Sequence, residues 1–411
     1  MRLIAVLLGA AALLASCGDA KEETAPAAPA DLQALVDSVM PRLQALAGLA
    51  QKGPVKVKVQ PRDSLRRYIE ARLQEELPAA ELEGIRVTYV TLGLMPEDLD
   101  LRALLLDLYT EQVVGYYDPS AKTLFVVQDA QRDAVRPVLV HELVHALQDQ
   151  HTNLDSLISR DRGNDRQSAA QAAIEGHATM VMFAFLAEGQ AGGPVDPRTL
   201  PDIGAQIRPG LEQQNQQFPV FQKAPRILRE TMLFPYADGA AFVHKLWLRP
   251  LQSGFGDPYP APLGERLPQS TEQVLHPESR FLVARDEPTE IRLEAGDAAM
   301  RENNLGELEM SHWLVEHLGA DSDRFANGWD GDRYRLIQVG GAPALIWYSV
   351  WDSDGAADAF AEAARRIGEK RGRSVMVERI ALSGRPGVRI VDAATAAQLQ
   401  QIRAPGAAIQ P

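Results

Sequence analysis

The stretch HELVHALQDQH, residues 141–151, places two histidines four residues apart with a glutamate directly after the first. On an α-helix, residues i and i+4 lie on one face about one turn apart, so His141 and His145 can bind the same metal ion. Glu142 would then stand beside that ion. Over residues 137–147 this carboxylate is the only side chain charged at neutral pH, which indicates a helix buried on most sides. The pattern H-E-x-x-H therefore predicts a metal-binding helix.

A tetrahedral catalytic zinc takes three protein ligands and leaves one position for water. Between positions 166 and 188 no Asp, Glu, Lys or Arg occurs other than Glu175, and a lone carboxylate in an apolar helix is unfavourable unless it meets a cation. His151 is the alternative, six residues after His145, the offset found in metzincins. Gln148 stands where that family has a helix-breaking glycine, and a continuing helix would carry His151 about 9 Å along the axis. Glu175 is therefore the predicted third ligand.

These residues resemble the gluzincin metallopeptidases, in which two motif histidines and a glutamate from the next helix bind zinc. The resemblance covers His141, Glu142, His145 and Glu175, and it implies a zinc hydrolase with Glu142 as the general base. Thr179 stands where thermolysin-like members have an aspartate four residues after the glutamate ligand. The wider set GYYDP, HELVHALQDQH, EGHAT, FPYADGAAFV and STEQVLHPE resembles a group of uncharacterised bacterial envelope proteins that are predicted to be zincin peptidases.

Further residues are candidates for supporting roles around this site. Gluzincins generally add a tyrosine or histidine that stabilises the oxyanion, and Tyr236 is predicted for this role, with His244 and His276 as alternatives. The segment Lys122–Asp129 is the candidate edge strand that would pair with an extended substrate. His177 lies two residues after the predicted glutamate ligand, so it is expected to point elsewhere and to pack or meet a hydrogen-bond acceptor.

The first twenty residues, MRLIAVLLGAAALLASCGDA, are typical of an export signal, with a basic start, an apolar run and small residues before Cys17. The segment LASC resembles the lipobox of bacterial lipoproteins, which implies cleavage before Cys17 and attachment of lipid to its thiol. Cys17 is the only cysteine, so an internal disulfide is excluded. Glycine rather than aspartate follows Cys17, and in a host with two membranes this weakly disfavours retention of the lipoprotein in the inner membrane. The predicted location is the bacterial cell envelope, on the outer membrane facing the periplasm where the host has two membranes.

The 411-residue chain is 45 % hydrophobic and 24 % charged, which is ordinary for a globular protein of two domains. A formal charge of −13 opposes binding to nucleic acid and to anionic lipid head groups, so membrane attachment is expected through the N-terminal lipid only. The predicted fold class is α+β, with a mainly helical zincin-like catalytic domain that carries a small sheet, followed by a smaller α+β domain. The predicted segments are a signal peptide (1–16), a lipidated cysteine with a flexible tether (17–30), a metallohydrolase domain (31–250), a Pro-rich connection (251–300) and the α+β domain (301–411).

Two local patterns complete the expected structure. The alternation of apolar residues in GIRVTYVTLGL predicts a strand over Gly84–Leu94, and GYYDPSA predicts a turn. A helix that carries the histidine motif is expected to begin near Arg136, with Pro137 in its first turn.

The function expected from these features is that of a membrane-anchored, zinc-dependent hydrolase, a metalloendopeptidase that acts on peptides or proteins of the envelope. One alternative is a zincin-like scaffold of weak catalytic power that binds envelope peptides or proteins. Another is a zinc amidase that acts on cell-wall peptides with the same ligands. The intact motif favours an enzyme, because a pure binding protein does not need Glu142 beside the metal.

Overall fold

The structure is a computed structural model, and it describes residues 29–130, 132–200, 203–249 and 259–410. Over these residues the fold is mixed α+β, with a mainly helical first part and a second part built on a sheet. The predicted signal peptide, Cys17 and nearly all of the predicted tether lie outside the described residues. No described helix combines the length and apolar character needed to span a membrane.

The first part is dominated by helices. In chain order they are α1 (Pro29–Ala47), α2 (Arg62–Glu76), α3 (Ala79–Leu92), α4 (Leu101–Gln112), α5 (Arg132–His151), α6 (Leu154–Leu157), α7 (Asn164–Ala191), α8 (Ile203–Asn215), α9 (Pro219–Lys223) and α10 (Arg226–Leu248). The motif helix α5 begins at Arg132 rather than near Arg136, so Pro137 lies in its second turn. Helices α5, α7 and α10 pack together at the centre of this part.

The segment Gly84–Leu94 is not a strand, as its alternation suggested, because residues through Leu92 belong to helix α3. Apolar side chains also recur there at helical spacing, with Leu82, Tyr89 and Leu92 buried on one side. Pro78 precedes the helix, and Gly93 ends it in a left-handed conformation with φ of 73°. These two helix-end signals decide for a helix, although β-branched residues alternate with other residues between them.

A three-stranded sheet covers the motif helix. Its strands are β1 (Lys56–Gln60), β2 (Gly115–Asp118) and β3 (Thr123–Val127), in the order β1-β3-β2. Strand β3 is parallel to β1 and antiparallel to β2, so it is the central strand. The prediction that Lys122–Asp129 forms the edge strand is wrong, because β1, from a distant part of the chain, occupies its other side. The turn predicted in GYYDPSA is confirmed only for the second half of that segment, because Gly115–Asp118 forms the edge strand β2 and the turn follows at residues 119–122.

The second part is built on an antiparallel sheet. Its elements are α11 (Thr271–Leu275), β4 (Ile291–Leu293), β5 (Ala299–Asn303), α12 (Gly306–Leu318), β6 (Trp329–Val339), β7 (Ala342–Trp351), α13 (Asp354–Arg371), β8 (Ser374–Leu382), β9 (Arg385–Ala393), α14 (Ala396–Gln401) and β10 (Ala407–Ile409). Five strands pair in the order β5-β6-β7-β9-β8, and β4 pairs with β10. One face of the large sheet joins the core of the helical part, so the two parts share a continuous apolar interior.

Candidate metal centre

Three buried side chains from two helices converge in the centre of the helical part. The Nε2 atoms of His141 and His145, on α5, lie 3.2 Å and 3.3 Å from Oε2 of Glu175 on α7. Each of these residues is at most 3 % exposed. One ligand atom from each lies within 4.8 Å of the others, a spacing that could hold a metal ion. The structure therefore brings together the three residues that the sequence predicted as ligands.

The electrostatics of this triad favour a bound positive charge. Burial by itself would lower the pKa of His145, but the nearby carboxylate of Glu175 more than offsets that and raises the pKa. Burial likewise opposes ionisation of Glu175, yet the charge on His145 and the hydrogen bond with His141 hold its pKa below the usual range. His141 shows a lowered pKa, because burial disfavours its charged form. A positive charge beside this buried carboxylate is therefore favourable, and either the His145 imidazolium or a metal ion bound between the three side chains can supply it.

Glu142 lies next to the triad and is held by the edge strand. Its Oε2 atom accepts a hydrogen bond of 2.7 Å from the backbone N–H of Tyr117 on β2. Its Oε1 atom is buried and has no hydrogen-bond partner among the described residues. Burial raises the pKa of Glu142 to about 8. One carboxylate oxygen is therefore fixed, while the other can exchange a proton near neutral pH.

A chain of hydrogen bonds behind His145 runs from α5 through α7 to the end of α1. The Nδ1 atom of His145 lies 2.8 Å from Oε1 of Gln148. The Nε2 atom of Gln148 lies 3.0 Å from the carbonyl oxygen of Ile174 and 3.0 Å from Nδ1 of His177. The Nε2 atom of His177 lies 3.1 Å from the carbonyl oxygen of Ala47. We call these five residues the Gln148 relay.

The direction of the relay follows from its two main-chain carbonyls, which can only accept hydrogen bonds. The Ile174 carbonyl requires the amide NH₂ of Gln148 on its side, so Oε1 of Gln148 faces His145 as an acceptor. The Nδ1 atom of His145 must then donate. The Ala47 carbonyl likewise requires the proton of His177 on Nε2, which leaves its Nδ1 as the acceptor for Gln148. The relay therefore leaves Nε2 of His145 as the atom that binds a cation at the triad.

Helices α7 and α10 approach closely at two glycines beside the triad. A Cβ atom on Gly176 would lie 2.0 Å from the backbone of Gly239, and one on Gly239 would lie 2.1 Å from the carbonyl oxygen of Ala172. This contact brings Tyr236, one turn before Gly239, against Glu175, with which its hydroxyl forms a hydrogen bond. Burial next to this carboxylate raises the pKa of Tyr236 well above its usual value, so the hydroxyl keeps its proton. The motifs EGHAT and FPYADGAAF thus meet across one helix–helix contact.

An open cleft lies beside the triad, with Tyr236 and Tyr109 among its lining residues. Mostly apolar side chains of α3, α4 and α10 line it, together with polar side chains of α7 and residues of the second part. The triad residues themselves do not line the cleft, and Tyr236, which contacts Glu175, connects the two.

The alternative site residues lie elsewhere. His151 is exposed at the end of α5, and its Nε2 atom lies 2.7 Å from the carbonyl oxygen of Ala50. His276 pairs with Glu307 at 2.9 Å. His244 is buried on α10, eight residues and about 12 Å along the axis beyond Tyr236. Among the described residues none of the three belongs to a group that could hold a metal ion.

A second acidic group in the described residues, formed by Glu272, Asp286 and Asp352, also has ligand atoms close together. The guanidinium of Arg280 pairs with all three carboxylates. A cation of the protein itself thus supplies the charge that these carboxylates require, and the group is a structural ion-pair network.

Comparison with known proteins gives one match. A family model described as a domain of unknown function (DUF8575) matches residues 292–403, which lie in the second part. No curated protein and no solved structure matches the chain. The matched residues do not include the triad, so its chemistry must be argued from its own geometry.

Several residues of the site were not assigned by sequence reasoning. His177 was expected to meet an acceptor, as it does, but its link to His145 through Gln148 was not foreseen. The hydrogen bond from the Tyr117 N–H leaves no local signal in the sequence, although its motif belongs to the set that stood out. Gly176 and Gly239 did offer a signal, because a glycine inside a helix lowers the helix propensity without a local reason.

Proposed function

We propose that this protein is a zinc-dependent hydrolase, and that its reaction is the cleavage of peptide bonds. The observation that carries the proposal is the convergence of His141, His145 and Glu175 with the carboxylate of Glu142 directly beside them. Two imidazole nitrogens and one carboxylate oxygen form the ligand set of gluzincin-type catalytic zinc sites, which keep one position open. The reaction class follows from this donor set together with a general base.

The donor atoms fit a tetrahedral zinc ion. Ligand atoms bound at about 2.0–2.1 Å in tetrahedral geometry are separated by about 3.3 Å. The separations between Glu175 and the two histidines are 3.2 and 3.3 Å. The Nε2 atom of His145, which the Gln148 relay leaves as the ligand, is buried and makes no well-directed hydrogen bond within the described chain. When bound, zinc supplies Lewis acidity that lowers the pKa of water and polarises a carbonyl group.

Glu142 is the residue that moves protons in the proposed reaction. Its Oε1 atom accepts a proton from the attacking water and afterwards delivers it to the leaving nitrogen of the cleaved bond. The hydrogen bond from the Tyr117 N–H holds the other oxygen, so the carboxylate is oriented before substrate arrives. Burial raises the pKa of Glu142 to about 8, and a divalent cation at the triad would lower it again and favour the ionised form that a general base requires.

Tyr236 is proposed to stabilise the oxygen of the carbonyl group that is attacked. Its hydroxyl stays protonated and lies beside Glu175, at the boundary between the triad and the cleft. The hydroxyl proton, which Glu175 accepts in this structure, would turn to the attacked carbonyl oxygen and bind the negative charge that develops there. The proposed substrate is a peptide or protein of the cell envelope, where a lipid on Cys17 would anchor the enzyme.

Metal analysis of purified protein tests the ligand set. We expect one zinc ion per chain in the wild type, and a loss of at least about nine-tenths of it in Glu175→Ala, because that variant removes one of the three ligands. His151→Ala is the matched control and should keep its zinc. Chelator-sensitive hydrolysis of casein by the wild type would support the enzyme over the scaffold. Loss of zinc only in His151→Ala, or no zinc in any form, contradicts the proposal.

A second measurement tests the role of the Gln148 relay. Gln148→Leu removes the acceptor that holds Nδ1 of His145, so we expect its zinc affinity to fall about 10- to 100-fold in a chelator competition at fixed pH. Gln150→Leu is the control, because Gln150 lies on the same helix but bonds to the backbone of Gly53. Equal zinc affinity in Gln148→Leu and Gln150→Leu would show that the relay does not position His145.

A further inference from the structure

The cleft beside the triad is formed jointly by the helical part and the second part of the chain. Helix α7 lines it with Asn164, Gln167, Ser168 and Gln171, which follow one another on the face that ends at Glu175. The second part contributes a smaller set of lining residues, which are Arg301 and Asn303 on β5, Glu309 on α12 and Tyr334 on β6. These four residues lie within the segment that matches the domain of unknown function.

The dimensions of the cleft suit an extended chain. From Asn164 to Gln171, the α7 residues that line the cleft, the helix rises seven residues, or about 10 Å. An extended peptide covers that distance with about three residues. Amide and hydroxyl side chains recur along the α7 face at about one helical turn, and such groups can both donate to and accept from a peptide backbone. The α7 face therefore offers polar contacts along the whole length of a bound segment.

One amide of this face is buried without a partner. Gln167 is 3 % exposed and lines the cleft, yet its Nε2 atom has no hydrogen-bond partner within the described parts of the chain. A buried donor of this kind is unfavourable unless something accepts its hydrogen bond. A carbonyl oxygen of a bound peptide would satisfy it. Gln167 thus points to a ligand independently of the triad.

The charged groups of the cleft already have partners. Arg301 forms an ion pair with Glu81 and donates to the hydroxyl of Tyr334 at 2.7 Å. Glu309 accepts hydrogen bonds from two neutral groups, the hydroxyl of Tyr89 at 2.9 Å and Nδ2 of Asn164 at 2.8 Å. A charged side chain that entered the cleft would lose water without meeting a counter-charge that is free of such contacts. The cleft therefore favours uncharged residues.

We propose that this cleft binds an uncharged, extended segment of the peptide substrate, and that the second part of the chain sets this preference through Arg301. This inference rests on the proposed function, because it assigns the substrate segment that reaches the triad. The wall of α3, α4 and α10 receives the apolar side chains, while α7 hydrogen-bonds the peptide backbone. The second part of the protein is then a specificity element of the active site rather than a separate interaction module.

Direct binding of dye-labelled, capped hexapeptides tests the inference. The full chain carrying Glu142→Gln is used so that the probes stay intact. The first probe alternates leucine and serine, and two further probes carry glutamate or lysine in place of each leucine. We expect the leucine probe to bind at least about tenfold more tightly than either charged probe, because the cleft offers no spare counter-charge. Equal binding of all three probes would overturn the preference.

Two substitutions in the same Glu142→Gln background locate the probe. Ser168→Phe fills the cleft, so it should weaken the leucine probe at least about tenfold, whereas Gln190→Phe, exposed near the end of the same helix, should not. Arg301→Met leaves Glu81 without its cation and should strengthen the lysine probe at least about tenfold. Arg333→Met removes the same charge from the same sheet outside the cleft and should leave all three affinities unchanged.

The outcomes separate this inference from the proposed function. If wild-type protein cleaves the leucine probe but Ser168→Phe and Arg301→Met bind like their controls, the hydrolase stands and the cleft assignment fails. If the leucine probe binds as expected and responds to both substitutions, but zinc-loaded wild type never cleaves it, the cleft assignment stands and the proposed chemistry fails. Circular dichroism and zinc content establish that each variant is folded.

Discussion

Glu142→Gln should reduce peptide hydrolysis about 10³-fold or more while zinc stays bound. The amide has the shape of the carboxylate and can still accept the hydrogen bond from the Tyr117 N–H, so the helix and the strand keep their positions. It cannot accept a proton from water, however, and general acid–base catalysis typically contributes about 10²- to 10⁴-fold. The measurements are kcat on a peptide that the wild type cleaves and zinc content by elemental analysis.

The control for this variant is Glu70→Gln, which makes the same chemical change on the exposed face of α2. It should retain wild-type kcat and wild-type zinc. Full activity in Glu142→Gln would exclude this residue as the general base. Loss of zinc together with activity would instead assign Glu142 a part in holding the metal.

Gly239→Ala should destabilise the protein by about 3 kcal/mol or more and should also weaken zinc binding. The added methyl group would lie 2.1 Å from the carbonyl oxygen of Ala172, and a main-chain atom can move away only if helices α7 and α10 separate. Overpacking a buried contact typically costs about 1–3 kcal/mol and sometimes more. Separation of these helices would also pull Tyr236 away from Glu175. Urea unfolding measures the loss of stability, and chelator competition measures the loss of affinity.

Gly189→Ala provides the matched control, because Gly189 lies on α7, the partner helix of this contact, with no atom within 4 Å of the added methyl group. There the substitution should raise the free energy of unfolding by up to about 1 kcal/mol, the usual gain from replacing glycine within a helix. If Gly239→Ala proved as stable as Gly189→Ala, the close approach of α7 and α10 would not be what holds the triad together.

The location of the candidate metal-binding residues could be predicted because most of the signal is local. His141 and His145 share a helix face through their spacing alone, and helix geometry holds wherever the helix packs. Glu175 was identified by a different argument, the unfavourable burial of a lone carboxylate in an apolar helix. The structure places its Oε2 atom within 3.3 Å of both histidines. The alternative ligand His151 fails for the reason anticipated, since α5 continues as a helix to its position.

Prediction from local sequence patterns failed where one segment carried two competing patterns, and where the partner of a strand lay far along the chain. Gly84–Leu94 carries both an alternating and a helical pattern, and the end signals at Pro78 and Gly93 decided for the helix. The edge strand was misplaced because β1, about sixty residues before β3, pairs with it and makes it central. Pairing between distant segments leaves little trace in the sequence of either one.

The amino-acid sequence was sufficient to predict the mixed α+β class, the helix face that carries both motif histidines and the position of Glu175 beside them, because these follow from helical periodicity and from the energetics of burying charge. Only the tertiary structure decided how those residues are held and what surrounds them. The relay from His145 to Ala47, the bond between Tyr117 and Glu142 and the contact of Gly176 with Gly239 include contacts between residues that lie from 25 to 130 positions apart in the chain. Such contacts depend on which helices pack together and at what distance, and that packing is a property of the whole core rather than of any single segment.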